Sequence, residues 1–93
     1  MRLIWPPESV THMWDRHELT PAEVEEAFLD PLKVFFQPDP ASDSGTSDRS
    51  IGFSPTAGLI LTVITVRFEG RIYGATAWQS SPTQQRQYEE KNA

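Results

Sequence analysis

Three observations predict an α+β domain, an antiparallel sheet with helices packed on one face. Residues 1–30 carry helical periodicity and a capping box. Residues 34–78 alternate between short β-rich runs and turn residues, and a second capping box opens at Ser81. The predicted order is β-α-α-β-β-β-β-α. A chain of 93 residues has room for one small core, so residues 1–93 are read as a single domain.

Each element has a local reason. Leu3-Ile4-Trp5 is a short apolar run stopped by Pro6-Pro7, as suits a first edge strand. Pro7 opens a helix on which Val10, Met13, Trp14 and His17 form one stripe, with Trp5 and Trp14 read as core. Thr20-Pro21-Ala22-Glu23 sets a cap, a Pro at the first helical position and a Glu at the third; Asp30-Pro31 ends that helix. Val34 to Gln37 is a strand, and about 38–48 is a flexible loop rich in Pro, Asp, Ser and Gly. Arg49 to Ser54, Leu59 to Phe68 and Arg71 to Trp78 are strands joined by turns at 55–58 and 69–70. Ser81-Pro82-Thr83-Gln84 starts a last helix that runs to about Tyr88.

In the long strand, Ile60, Thr62, Ile64, Val66 and Phe68 are the more continuous apolar set and the expected core face. With a two-residue turn, Arg67 lies opposite Ile72, Thr65 opposite Gly74, Val63 opposite Thr76 and Leu61 opposite Trp78. The other face then gathers Thr65, Arg67, Thr76 and Trp78, a platform for a phosphate and a stacked base, or else a surface ion pair beside a core edge. A slip of one residue at the turn would reassign these faces.

The charge is uneven. The net −5 divides into −7 over residues 1–48, with three basic and ten acidic side chains, and +2 over 49–93, with five basic and three acidic. The acids Glu18, Glu23, Glu25, Glu26 and Asp30 read as a solvated helix face. An acidic whole argues against a strong generic grip on nucleic acid, and the basic half leaves room for a local phosphate site. Zero cysteines exclude disulfides, thiolate metal sites and a cysteine nucleophile. His12, Asp15 and His17 invite a metal reading. Histidines five apart on a helix diverge by more than a quarter turn, so no metal and no cofactor is expected. His17 reads as a packed histidine or as a group titrating near neutral pH. With no apolar leader at the start and no run near the ~20 residues that span a bilayer, a cytoplasmic protein without membrane contact is expected.

Several segments in order carry a family resemblance: Ile4-Trp5-Pro6, Arg16 to Thr20, Glu23 to Pro31, Asp48-Arg49-Ser50-Ile51-Gly52, Thr65-Val66-Arg67, Arg71-Ile72 and Tyr88-Glu89. Together the chain resembles the BrnT family of type II toxin–antitoxin toxins, within the RelE/ParE-like superfamily. The resemblance implies that fold and a metal-independent endoribonuclease or translation inhibitor, neutralised by a cognate antitoxin. Its other partners would be mRNA or the ribosome, with a homodimer as a further option. It implies a catalytic set of His17, Asp48, Arg49 and Arg67; Arg71, in its Arg-Ile match, joins Thr76 and Trp78 of the sheet platform as the expected substrate-binding residues. Arginine suits phosphate because its planar fork stays charged and matches two oxygens. On this reading Arg67→Ala relieves toxicity and leaves the melting temperature nearly unchanged. The chain departs from the family at Ala77-Trp78, Gln84-Gln85 and Gly58-Leu59, where the family carries arginines. That keeps open an alternative: a catalytically degenerate interaction domain on the same fold.

Overall fold

The computed structural model describes residues 3–93. Its elements are α1 (Pro7–His17), α2 (Pro21–Phe28), β1 (Val34–Phe36), β2 (Ser47–Ser54), β3 (Leu59–Phe68), β4 (Arg71–Gln79) and α3 (Pro82–Lys91). The four strands form one antiparallel sheet in sequence order. Short turns make that order the simplest path. At the β3–β4 turn Glu69 and Gly70 both take positive φ, which matches the twist of a tight hairpin.

The expected first strand is reduced to one bridge. Ile4 pairs in parallel with Tyr73, donating to Ile72 O at 2.9 Å and accepting from Gly74 N at 2.8 Å. Pro6 and Pro7 supply no N–H to continue a ladder. Trp5 instead turns onto Gly74, where an added Cβ would fall 2.3 Å from its ring, and its indole donates to Glu25 Oε2 at 3.0 Å. The observed order is therefore α-α-β-β-β-β-α. β2 also begins earlier than expected, taking Ser47 and Asp48 out of the preceding loop.

The core lies under α1 and α2, where Met13, Leu19, Val24 and Ala27 meet Leu61, Val63 and Ala77, with Trp5 and Leu59 at its margin. This is the opposite face of β3 from the expected one. Alternation alone could not choose, because both faces of β3 are apolar. The neighbours decide: Ser50, Gly52, Gly74 and Ala77 are small and share the Leu61–Val63 face, so helices can approach there. At Gly52 the approach is closest, since an added Cβ would lie 2.1 Å from Ala27 O. The Ile60–Phe68 set faces away, and Phe68 is 59% exposed.

α1 lies over β4, at the margin of the sheet, and buries only Met13. Trp14, expected in the core, is 56% exposed, because a helix at the margin needs only a narrow apolar stripe. Both capping boxes are present, Thr20 with Glu23 and Ser81 with Gln84. The acids after Thr20 are not a free solvated face. Glu25 accepts from Leu3 N and the Trp5 indole, Glu26 from Ser54 and Thr56, and Asp30 from Leu32, Phe53 and Tyr88. Among the described residues no helix is long and apolar enough to cross a membrane.

Candidate functional site

A bulge in β4 decides where the expected site residues go. Arg67 pairs with Ile72 and Thr65 with Gly74, as anticipated; then the register shifts, and Ile64 meets Thr76, Val63 meets Ala77 and Thr62 meets Trp78. Ala75 is the extra residue. It turns Thr76 and Trp78 to the side away from α1 and α2, while Arg67 stays on the helix side. The predicted platform of Arg67 with Thr76 and Trp78 is therefore split across the sheet.

On the open side, the register gathers four of the seven expected residues. Phe36, Arg49, Ile64 and Thr76 form one row across the strands, with Ile51, Thr62 and Trp78 next to it on one flank. On the other flank lie Val66 with Tyr73 and then Phe68 with Arg71. Phe68 and Arg71 are exposed; Phe36, Ile64, Val66, Tyr73, Thr76 and Trp78 are half-buried. The last helix closes one end. Its Gln84 Oε1 accepts from Thr62 Oγ1 at 2.9 Å and from the Trp78 indole at 3.2 Å, which fixes the ring.

The charge on this face is modest. Arg49 Nε stands 3.1 Å from Asp39 Oδ1, yet the N–H is not aligned on it and, being buried, has no hydrogen-bond partner. Thr76 Oγ1 is likewise buried and unpartnered. Among the described residues Arg71 has no carboxylate within ion-pair distance. A sheet face with aromatic rings and one uncommitted guanidinium, that of Arg71, can stack bases and contact phosphate. Phe36, Phe68 and Tyr73 were missed from sequence. Phe36 pairs directly with Arg49, while Tyr73 and Phe68 share the side of Thr76 only because of the bulge at Ala75, which alternation in the sequence does not signal.

Asp48 and Arg67 meet on the helix side. Arg67 donates from Nε to Asp48 Oδ2 at 2.8 Å, from Nη2 to Oδ1 at 3.0 Å, and from Nη2 to Gly45 O at 2.9 Å. The Asp48 side chain is 3% exposed and that of Arg67 37%. Hydrogen bonding to Asp48, reinforced by its charge, holds the guanidinium protonated beyond its ordinary range. This corrects the expectation of a stability-neutral Arg67→Ala, because that change strands a buried carboxylate. Arg67→Ala is expected to lower the melting temperature, and adding Asp48→Ala to recover part of the loss. Thermal melts of the two single variants and the double provide the check, and an Arg67→Ala melt equal to wild type would refute the clamp.

His17 stands apart from both groups. It is exposed at the end of α1, beside a cleft of about 450 Å³ lined by Asp15, Glu18, Glu23 and Thr56, and not packed on the core stripe. The next residue, Glu18, takes a left-handed backbone that ends α1 and turns the chain toward α2. His12 and His17 contact edge to face at 5.9 Å, and no group of three metal-ligating side chains assembles among the described residues. The expected catalytic set is thus divided three ways: His17 alone, Asp48 with Arg67, and Arg49 on the open face. Compared with protein-family models and with curated proteins, the chain gives no match.

Proposed function

We propose that this chain is the toxin component of a type II toxin–antitoxin system of the BrnT kind, with a RelE/ParE-like fold. In this reading it works in the cytoplasm as an endoribonuclease or translation inhibitor and is held in check by a cognate antitoxin. The observation that carries the reading is the open sheet face. There Arg49 and Arg71, two positions that the resemblance matches, lie with Thr76 and Trp78 among Phe36, Phe68 and Tyr73.

The chemistry follows from what that face holds. Attack of a 2′-hydroxyl on the neighbouring phosphate builds negative charge on phosphoryl oxygens, and a guanidinium offsets it. Arg71 is the group available for that contact, and the aromatic rings orient the flanking bases. The small local excess of positive charge makes the chain's own hold on RNA weak, so the ribosome or another partner supplies the remainder.

A second reading rests on a specific observation. Arg67, matching the family's T-x-R, commits its Nε and Nη2 to Asp48 and Gly45 O on the helix side, and His17 lies away from the open face. That pattern favours a catalytically degenerate protein-interaction domain on the same fold. Induced expression in a bacterial host, with and without the neighbouring open reading frame, separates the two. The toxin reading expects growth arrest that the neighbour relieves, and a well-folded protein causing no arrest overturns it. Arg71→Ala is expected to weaken the arrest about tenfold at an unchanged melting temperature, since a hydrogen bond to a charged group is worth ~1.5–3 kcal/mol. Undiminished arrest removes Arg71 from the site.

A further inference from the structure

On the helix side, where α2 runs out toward β1, lies a cleft of about 540 Å³ floored by Phe28, Leu29, Pro31, Phe35 and Ile72. Asp30 and Lys33 complete the lining, whose apolar part is incompletely covered: Leu29 is 53% and Phe35 44% exposed. One cation projects into this apolar setting. Lys33 Nζ sits 4.0 Å from the centre of the Phe28 ring and 4.7 Å from that of Phe35. Such contacts hold an ammonium but do not neutralise it.

The charges around Lys33 are already committed. Asp48 is taken by Arg67, and Asp30 accepts three hydrogen bonds, from Leu32 N, Phe53 N and Tyr88 OH. Lys91 adds a second positive charge nearby, donating to the Lys33 carbonyl. Among the described residues the ion pairs are Arg49–Asp39 and Arg67–Asp48, so no carboxylate contacts Lys33. Burial also pulls its ammonium below the ordinary lysine range, although Asp30 and Asp48 oppose this. A half-desolvated cation over an apolar floor is complementary to one chemistry, an apolar body that ends in an anion.

We propose that this cleft binds an amphiphilic carboxylate, its apolar body against Phe28, Phe35 and Ile72 and its carboxylate on Lys33 Nζ. The site is on the opposite side of the sheet from Arg71 and Trp78, and the inference does not rest on the toxin reading. The carboxylate belongs either to a small free acid or to the C-terminus of a peptide.

The test is an NMR titration of the full chain with phenylbutyrate, its neutral amide, and acetyl-Leu-Phe with a free carboxylate. The acid is expected to shift the backbone amide signals of Phe28, Lys33, Phe35 and Ile72 and to bind about tenfold more tightly than the amide. Lys33→Met, which keeps the length of the side chain, is expected to erase that preference, and Phe35→Ala to weaken both ligands. Tighter binding of acetyl-Leu-Phe than of phenylbutyrate assigns the cleft to peptide ends, and the reverse assigns it to small acids. Equal binding of acid and amide, shifts centred elsewhere, or no shift with either carboxylate overturns the proposal.

Discussion

Replacing Gly52 by alanine is expected to destabilise the domain by at least about 3 kcal/mol, a large share of the ~5–15 kcal/mol that a small domain has in total. Gly52 sits in the middle of β2 beneath α2. A Cβ there would fall 2.1 Å from Ala27 O, 3.0 Å from Ala27 C and 3.2 Å from the Asp30 Cβ. Two of these three atoms are backbone, so no rotamer change relieves the clash. Ala27 O also accepts from Asp30 N, and Ala27 is fully buried. Lifting the helix would draw Val24 and Ala27 off Leu61 and Val63 and open the core. Gly74→Ala is a milder counterpart, because there the obstacle is the Trp5 ring, a side chain that can swing once its bond to Glu25 is broken. Urea unfolding of both variants checks the ranking. A Gly52→Ala loss below about 1 kcal/mol would show that α2 does not dock as closely as described.

What the sequence made legible was local. Thr20 with Glu23 and Ser81 with Gln84 announce two helix starts within four residues each, and both boxes form. The hairpin at Glu69-Gly70 is equally local, and its first two pairings, Arg67 with Ile72 and Thr65 with Gly74, follow from turn length. Beyond them the reading fails at a single residue. Ala75 carries no mark of a bulge, yet it moves Trp78 to the other side of the sheet from Arg67 and divides the expected site. The core face was misjudged for a related reason. The apolar content of β3 is similar on both sides, and the choice rests on Gly52, Gly74 and Ala77, small residues that belong to its neighbours. The acids of α2 teach the same lesson about charge. Composition displays Glu25, Glu26 and Asp30 as a polar face, while all their hydrogen-bond donors but Leu32 N lie 20 or more residues away, as with Glu25 and Trp5, or 58 away, as with Asp30 and Tyr88.

Asp30→Ala is expected to cost about 2–4 kcal/mol and to loosen α3 as well. The Asp30 carboxylate joins three segments: Oδ1 accepts from Leu32 N at 2.8 Å, and Oδ2 accepts from Phe53 N at 2.8 Å and Tyr88 OH at 2.6 Å. A partly buried donor left without its acceptor costs ~1–3 kcal/mol, which falls on the Tyr88 hydroxyl, and the exposed Phe53 N–H bond adds the ~0.5–1.5 kcal/mol of an ordinary hydrogen bond. α3 buries none of its ten residues, so polar anchors carry much of its attachment, and Tyr88 is the one that reaches Asp30. The pH dependence follows with a definite sign. Burial pushes the Asp30 carboxyl up, but the hydrogen bonds from Tyr88, Phe53 and Leu32, with the charge of Lys33, outweigh it and hold the group below the usual carboxylate range. Its contribution is therefore present above the unfolded pKa near ~4 and is lost as pH falls through the lower folded value. Tyr88 runs the other way. Burial, then its bond to Asp30 and the charge there, push the phenol up to about 12, so its contribution is whole below the unfolded pKa near ~10 and is lost as pH rises through the folded one. Asp30→Ala should flatten the acid limb of the stability profile and Tyr88→Phe the alkaline limb. In a double-mutant cycle the two should couple by about 1–2 kcal/mol, as a hydrogen bond to a charged acceptor does. Strictly additive losses, or an acid limb unchanged in Asp30→Ala, would mean that α3 is held by Gln84 and by Asn92, which donates to Leu32 O at 3.0 Å, without help from this bond.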